Sequence, residues 1–377
     1  MPISAKNIKR KAIELGFNLV GITPATPSPT LSAYMRWIEQ GMHGKMGYLA
    51  RPDRVTRRQK LKDIMPTAES LILVGLDYRT QFTDEVILND PSRGRIASYA
   101  WGLDYHNVVE LRLEMFAEWI AEQTQDKIQH KVYVDTGAIL ERSHAQQANM
   151  GFVGKNTMLI HPRRGSYFFI GEIVTSLEFD EYDTPHRENM CGTCTRCLNA
   201  CPTDAFPEPF VLDARKCISY HTIENKGWID RELRSRFGNW IFGCDICQDV
   251  CPFQRFTPET EEVAFMAFDL ERIAPKLIDI LALTDETFSE TFRRTPVERV
   301  KRERLVRNAC IAAGNWQNPQ PIPYLIQLLY DESALIRGHA AWALWQTMGL
   351  DSSKLLTDLY HRDDDELVRA EVEYLLR

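Results

Sequence analysis

Apolar residues in the first half of the chain follow two different periods. The stretches from Ile8 to Leu15 and from Tyr105 to Gln123 have the spacing of amphipathic helices. Four apolar runs predict buried strands, at residues 18–23, 70–76, 131–135 and 165–175. Strands that alternate with helices indicate an α/β domain (α/β or α+β) with a central sheet, where ligands gather at the loops beyond the strand ends.

The last third of the chain carries a recurring helical pattern instead. Leu305-Val-Arg, Leu335-Ile-Arg and Leu367-Val-Arg recur at intervals of 30 and 32 residues, and prolines interrupt the first interval. Short helix pairs of this kind stack as HEAT-like repeats. The alternative is an ordinary helical bundle, which would show the apolar spacing without the matched triplet. We favour the repeat.

The length and net charge of the chain limit its number of domains and its partners. The 377 residues allow two or three domains, and the net charge of −7 argues against a chain coated by nucleic acid over its whole surface. Because the sequence has neither a run of eighteen apolar residues nor the features of a signal peptide, we expect no membrane partner and a cytoplasmic location. The predicted domains are 1–185 (α/β), 186–260 (cysteine-rich) and 261–377 (helical repeats).

Eight of the nine cysteines lie between Cys191 and Cys251. Residues 191–202 match C-x2-C-x2-C-x3-C-P, the bacterial ferredoxin pattern, in which the fourth cysteine binds the other cluster. The spacing therefore predicts two [4Fe-4S] clusters in a ferredoxin-like module. The first would be held by Cys191, Cys194, Cys197 and Cys251, and the second by Cys201, Cys217, Cys244 and Cys247.

Two other uses of these cysteines are less favoured. Disulfides belong to oxidising compartments, whereas thiolate ligands suit a reducing cytoplasm. Paired zinc ribbons would need two C-x2-C knuckles at ribbon spacing, which the pattern C-x2-C-x3-C-P does not provide. The ninth cysteine, Cys310, lies in a predicted repeat helix and is expected to be a buried apolar residue.

Polar residues outside the cysteines give weaker signals. Asp135 follows a predicted strand and could donate a proton if burial raised its pKa, but from the residues alone an N-cap of the next helix is favoured. The loop Gly151 to Met158 could hold a cofactor through backbone donors and Lys155, although it lacks the full P-loop pattern.

A basic run stands out against the acidic chain. Its arginines and lysine fit either a phosphate-binding face or a solvated helix face, and both interpretations stay open. The run consists of Arg293, Arg294, Arg299, Lys301, Arg302, Arg304 and Arg307.

The order of these motifs resembles the epoxyqueuosine reductase family. The matching segments are Ala100-Trp-Gly-Leu-Asp-Tyr-His, Val134-Asp-Thr-Gly, Gly154-Lys-Asn-Thr, Gly165-Ser-Tyr, Cys191 through Pro202, Cys217-Ile-Ser and Gly243 through Pro252. The resemblance implies reduction of the epoxide of a modified tRNA wobble base to an alkene. It further implies that two clusters pass electrons to cobalamin, and that the repeats and basic run hold the anticodon stem-loop.

The resemblance also implies roles for single residues. Asp135 would protonate the departing oxygen, which needs a raised pKa, and this overturns the preference for an N-cap. Cobalamin would be contacted by Arg54, Asp135, Lys155, Asn156, Thr157, Met158, Ser166 and Ser219. Asp104-Tyr-His106 begins the D-x-H-x-x-G pattern of cobalt-binding histidines but lacks its glycine, so no protein ligand to cobalt is expected. We also expect an external electron donor and a monomeric protein.

Two further functions compete with the reductase. A reductive dehalogenase-like enzyme would use the same cofactors, but those enzymes usually carry an export signal and have no reason to carry a basic repeat domain. A non-catalytic electron carrier would leave the α/β domain unexplained.

Overall fold

The structure is a computed structural model that describes residues 4–80, 84–124, 128–187 and 189–377. These residues form two compact units, and each unit is assembled from three separate segments. The first unit takes its described residues from Met1–Thr80, Asp104–Arg215 and Ile246–Phe265. The second takes its residues from Gln81–Leu103, Lys216–Asp245 and Met266–Arg377. The sequence-based division at residues 185 and 260 stays a prediction.

Eight strands are present among the described residues. They are β1 (Leu19–Pro24), β2 (Ser70–Asp77), β3 (Arg95–Ile96), β4 (His130–Tyr133), β5 (Phe152–Val153), β6 (Leu159–Ile160), β7 (Phe168–Thr175) and β8 (Trp240–Phe242). All four predicted strands occur, but the third ends at Tyr133, before Asp135, and the fourth begins at Phe168.

The first unit is built on a four-stranded sheet with the order β1-β2-β7-β4. Every pair of neighbours is antiparallel, so the sheet has no single edge at which all strands end. β2 is buried at all eight positions, as expected for a central strand covered on both faces. Its helices are Ala5–Glu14, Leu31–Glu39, Gly47–Ala50, Pro52–Gln59, Tyr105–Glu122, Glu141–Gln147, Arg196–Ala200 and Ile246–Asp249.

Both faces of this sheet carry apolar packing. One core joins Leu71, Leu73 and Val174 from the strands to Ala145 and Ala148 from the region of the helix Glu141–Gln147. Elsewhere the helix Tyr105–Glu122 packs against β7, where Gly171 leaves no space for a side chain. A Cβ atom at Gly171 would lie 2.7 Å from a Leu113 methyl carbon and 2.9 Å from a Val109 methyl carbon. The long predicted helix is therefore confirmed and rests directly on the sheet.

The second unit is mostly helical, with β3 and β8 pairing in parallel. Its helices are Glu85–Leu88, Ile218–Ile223, Arg231–Arg234, Leu277–Leu281, Asp285–Phe292, Lys301–Trp316, Ile322–Leu328, Ala334–Met348, Ser353–Arg362 and Glu366–Leu376. Across both units, short 3-10 helices lie at Leu61–Asp63, Ser98–Ala100, Ala214–Lys216, Ser235–Phe237, Pro252–Phe256, Val263–Phe265, Leu270–Arg272, Pro296–Val300 and Gly349–Ser352.

The three matched triplets occupy equivalent helices, as the repeat hypothesis requires. The second residue of each triplet, Val306, Ile336 or Val368, is fully buried in the helices Lys301–Trp316, Ala334–Met348 and Glu366–Leu376 respectively. The first of these helices packs on the second, and the second packs on the third. Cys310 is also fully buried, and the prediction of an apolar role for it is confirmed. No helix among the described residues is long and apolar enough to cross a membrane.

The basic run does not form one solvent-facing surface, which corrects that part of the sequence analysis. Arg307 is fully buried, and its guanidinium donates to the backbone oxygens of His221 and Asn225 at 2.6 Å. Arg302 is paired with Asp331 at 2.6 Å, and Arg304 donates to backbone carbonyls. These three arginines satisfy carbonyl and carboxylate groups of the second unit. Arg293, Arg294, Arg299 and Lys301 are the exposed members of the run.

Candidate functional site

Four of the predicted cluster ligands surround one cavity in the first unit. Cys191, Cys194, Cys197 and Cys251 line a cavity of about 40 Å³ together with Lys155, Asn156, Ile160, Arg196, Pro252 and Phe253. Burial raises the pKa of the Cys197 thiol, and the nearby Cys191 and Cys251 thiols raise it further. Four thiols that converge on one enclosed space fit the cubane cluster expected for this set.

The local backbone supports this fit. The Phe253 N–H faces the sulfur of Cys251 and opposes the rise in its pKa that burial causes. Cys201, assigned to the second cluster, accepts a hydrogen bond from the Ala205 N–H at 3.3 Å. Backbone N–H groups directed at sulfur stabilise the thiolates that iron requires. All nine cysteines are free thiols in the structure.

The second predicted ligand set is divided between the two units. Cys201 and Cys247 belong to the first unit, whereas Cys217 and Cys244 belong to the second. All four are half-buried. Cys217 stands at the N-cap of the helix Ile218–Ile223, which also contains Ser219.

A short hairpin joins the first cysteine set to the rest of the unit. β5 and β6 pair around a tight turn in which Thr157 has a φ of 65°. Lys155 Nζ donates to the backbone oxygens of Gly192 and Cys194 at 2.8 and 2.9 Å. Asn156 Nδ2 donates to the Cys247 oxygen at 3.1 Å. The hairpin therefore fixes the backbone of the cysteine loops.

Asp135 lies in the loop after β4, in a left-handed conformation with a φ of 59°. Its side chain is 64 % exposed, and its Oδ2 accepts a hydrogen bond of 2.9 Å from the Tyr105 hydroxyl. His106 Nε2 lies 3.8 Å from the same oxygen, while His106 Nδ1 lies 2.7 Å from Asp104 Oδ1. The N-cap interpretation of Asp135 is wrong, because the following helix begins only at Glu141.

In the protein chain by itself, the neighbours of Asp135 favour its ionised form. Its pKa is lowered, first by the His106 ring and then by the Tyr105 hydroxyl, and partial desolvation opposes them. The raised pKa is expected from burial against the corrin, so it stays a prediction for the cofactor-bound protein. Asp135 is ionised at neutral pH in this environment.

Two other carboxyl groups near Asp135 show the opposite behaviour. Burial, reinforced by repulsion from Asp135, raises the pKa of Glu141 to about 8. Glu172 lies at the middle of β7 with no exposed surface, and burial raises its pKa well above the ordinary value. Glu141 is therefore mostly protonated at neutral pH, and burial favours the neutral form of Glu172.

Some residues predicted to contact cobalamin are linked to the Asp135 loop directly or through Arg142. Arg54 Nη1 donates to the Thr136 oxygen at 3.0 Å. Arg142, whose charge lowers the pKa of Asp135, donates from Nη1 to the Thr157 oxygen at 2.6 Å. Met158 joins them through its sulfur, 4.0 Å from Arg142 Nη1. These partly exposed side chains beside an exposed carboxylate leave polar and apolar contacts for a large planar cofactor.

Other members of the predicted set are occupied by protein contacts. Lys155 and Asn156 hold the cysteine loops, as described above. Ser166 is buried, and its hydroxyl accepts hydrogen bonds from Gln248 and Gln254 at 3.0 and 2.7 Å. Ser219 lies in the second unit, where its backbone oxygen accepts from the Thr222 hydroxyl. Direct cofactor contact by these residues stays a prediction.

Four residues of the site were not predicted as functional. Tyr105 and His106 lie within the segment that resembled the family, so the signal was present but was read only for a cobalt ligand. Glu172 is a lone carboxylate in an apolar strand, which is an unusual position for an acid. Glu141 carries no signal of its own in the sequence.

Comparison with known proteins agrees with this site. A family model described as "Epoxyqueuosine reductase QueG, DUF1730" matches residues 58–136. A 4Fe-4S double cluster binding domain matches residues 190–254, and HEAT repeats match residues 301–377. The iron–sulfur and repeat predictions are thus confirmed at the level of the domain family.

Curated relatives and solved structures extend the match to nearly the whole chain. An epoxyqueuosine reductase from Synechocystis is 41 % identical over 295 residues, covering 77 % of this chain and 98 % of that protein. The enzyme of the same name from Escherichia coli is 34 % identical, covering 91 % of this chain and 89 % of that protein. A crystal structure of epoxyqueuosine reductase with an epoxyqueuosine-modified tRNA-Tyr stem loop is 30 % identical, with a TM-score of 0.89 and coverage of 98 % and 97 %. This chain belongs to the epoxyqueuosine reductase family.

Proposed function

We propose that this protein reduces epoxyqueuosine in tRNA to queuosine, the last step in making that nucleoside, with electrons that pass through two [4Fe-4S] clusters to cobalamin. The observation that carries the proposal is that one compact unit contains both the four-cysteine cavity and the exposed Asp135. The chain also matches, along nearly its whole length, a reductase structure with a bound tRNA stem loop. An external donor would supply the electrons to a monomeric enzyme in the cytoplasm.

The cysteines would bind the clusters in the crossed arrangement, with Cys191, Cys194, Cys197 and Cys251 around the first. Cys201, Cys217, Cys244 and Cys247 would hold the second. Cobalamin would lie against Arg54, Asp135, Thr157 and Met158, with contributions from Lys155, Asn156, Ser166 and Ser219. It would supply a strongly reducing or nucleophilic centre for cleavage of the carbon–oxygen bond.

The chain itself would bind the substrate and move protons. Asp135 would donate to the departing epoxide oxygen, with Tyr105 and His106 fixing the orientation of its carboxylate. A related structure from Bacillus subtilis is described with its catalytic aspartate loop swung out of the active site. Such movement agrees with the exposure of Asp135 in this chain. The repeats, with the exposed part of the basic run, would hold the anticodon stem-loop by its phosphates.

The direct test is reconstitution of the full chain with iron, sulfide and cobalamin, followed by a reductant and tRNA that carries epoxyqueuosine. We expect queuosine to form, as measured by nucleoside analysis of the digested tRNA. Absence of queuosine from protein in which clusters and corrin are bound and reducible would reject the proposal.

A further inference from the structure

The chemistry of the proposed reaction sets a proton requirement that Asp135 alone does not meet. Converting an epoxide to an alkene breaks both carbon–oxygen bonds and releases the oxygen as water. The balance is two electrons, which the reduced cofactors supply, and two protons. One carboxyl group holds a single proton, so a second proton must reach the site in each turnover.

Asp135 is also mostly unprotonated in the protein chain by itself. The His106 ring and the Tyr105 hydroxyl both favour its ionised form. Because the group is ionised at neutral pH, it must receive a proton before it can donate one. A neighbouring group that keeps its proton at neutral pH would meet this need.

The half-buried Glu141 and the fully buried Glu172 are in position to be such a donor. Glu141 begins the helix after the Asp135 loop, and its carboxyl group accepts the Asp135 backbone N–H. Glu172 lies deeper, and neither of its oxygens has a hydrogen-bond partner among the described residues. A Cβ atom at Gly137, two residues after Asp135, would lie 3.0 Å from Glu172 Oε1. The loop that carries Asp135 thus passes directly over the buried carboxyl group.

The charged groups around this cluster explain why the protons stay there. Glu141 and Glu172 repel each other and are both repelled by Asp135, which favours their neutral forms. Arg58 opposes that effect on both glutamates, and Arg142 opposes it on Glu141. Tyr133 lies opposite Glu172 across the strands, and burial raises the pKa of its hydroxyl. Burial is the largest effect on both glutamates and, with this repulsion, outweighs the two arginines, so the neutral forms are favoured.

We propose that Glu141 and Glu172 form a proton store that recharges Asp135 during turnover, as positioning residues that never touch the substrate. The inference rests on the proposed function. A proton would pass from Glu141 to the Asp135 carboxylate as Asp135 donates to the departing oxygen, a far stronger base than either carboxylate, and Glu172 would restore Glu141. The store holds two protons, which equals the number that one epoxide reduction consumes.

The first test needs no cofactor and no activity. Infrared spectra of the full chain, recorded between about pH 5 and about pH 9, should show a protonated carboxyl band that persists at neutral pH. Glu141→Gln should remove the part of this band that titrates near pH 8, and Glu172→Gln should remove a further part of it. Glu178→Gln is the matched control, because Glu178 is an exposed acid of the same unit. A wild-type spectrum without such a band at neutral pH would overturn the proposal.

The second test follows single turnover in the reconstituted enzyme. Glu141→Gln should slow queuosine formation about tenfold or more at neutral pH, and the loss should shrink at low pH, where solvent can protonate Asp135. Cluster and corrin content should stay unchanged, because Gln has the shape of the neutral acid. A wild-type pH profile in both glutamine variants would reject the store while leaving the reductase activity standing. Failure of the wild-type enzyme itself would reject the proposed function instead.

Discussion

Asp135 has a left-handed backbone conformation, which few residue types other than glycine adopt readily. Aspartate and asparagine tolerate this conformation better than most other residues, because their short polar side chains bond locally. The position is therefore suited to a clean test of its chemistry. Asparagine keeps the backbone preference and the shape but cannot act as an acid.

We expect Asp135→Asn to retain clusters and cobalamin while queuosine formation falls by about 10²–10⁴-fold, the range typical of lost general acid catalysis. The measurement is single-turnover nucleoside analysis beside metal and corrin content. Glu178→Gln again provides the control. Full activity in the asparagine variant would remove Asp135 from the acid role.

The raised pKa of Glu141 also predicts how the free energy of unfolding depends on pH. Its pKa is about 8 in the folded chain and 4.5 when unperturbed, so between these values the folded state binds more protons than the unfolded state. The contribution of Glu141 is therefore fully present below about pH 4.5 and is lost as the pH rises through about 8. Urea unfolding at several pH values should show a flatter pH dependence for Glu141→Gln than for wild type. An unchanged slope would mean that Glu141 ionises normally.

At the scale of elements, the β5–β6 hairpin links the cysteine loops to the rest of the sheet unit. Lys155 is the clearest contact, because its ammonium group reaches two carbonyls of the first cysteine loop. Since a charged donor to two carbonyls stabilises a loop more than a neutral one, the hairpin should slow the loss of the first cluster.

We expect Lys155→Met to release iron faster than wild type under a chelator, followed by the visible absorbance of the clusters. Lys6→Met, at an exposed position of the first helix, is the control and should release iron at the wild-type rate. Equal rates for Lys155→Met and wild type would show that the hairpin does not hold the cluster loop.

The elements themselves were largely predictable from sequence, because periodicity reports burial. The central strand from Ser70, the helix from Tyr105 and the three repeat helices were all expected where they occur. The relation between elements was less accessible, since the direction of strand pairing depends on contacts distant in sequence. The same limit applies to the site. Cysteine spacing identified one cavity, but the approach of Glu141 and Glu172 to Asp135 arises only on folding.

At the scale of the whole molecule, the basic run separates into structural and exposed arginines. Charge alone indicated a single face, whereas Arg307 fills a fully buried position and satisfies backbone carbonyls. Removing such a group leaves unsatisfied acceptors and should cost about 1–3 kcal/mol or more of unfolding free energy. Binding of tRNA is therefore expected to depend on the exposed members.

We expect the double variant Arg293→Glu and Arg294→Glu to weaken tRNA binding and to reduce its salt dependence, because each lost phosphate contact lowers the slope by about one. Filter binding across a range of salt concentrations measures both effects. Arg307→Met should lower stability more than it changes the salt slope, which separates a folding defect from a binding defect. An unaltered affinity in the double variant would move the tRNA surface elsewhere.

The interleaving of the two units has a consequence for synthesis on the ribosome. The sheet unit needs Ile246–Phe265, so its last segment is made only after two segments of the helical unit have been translated. The four strands of the sheet are complete by Thr175, but until this last segment is translated the nascent chain lacks Cys251, so its first cysteine set is incomplete. Because contacts so distant in sequence close slowly, this period of exposure favours aggregation. Cluster insertion before release from the ribosome would shorten that period, which makes iron supply during translation a determinant of yield.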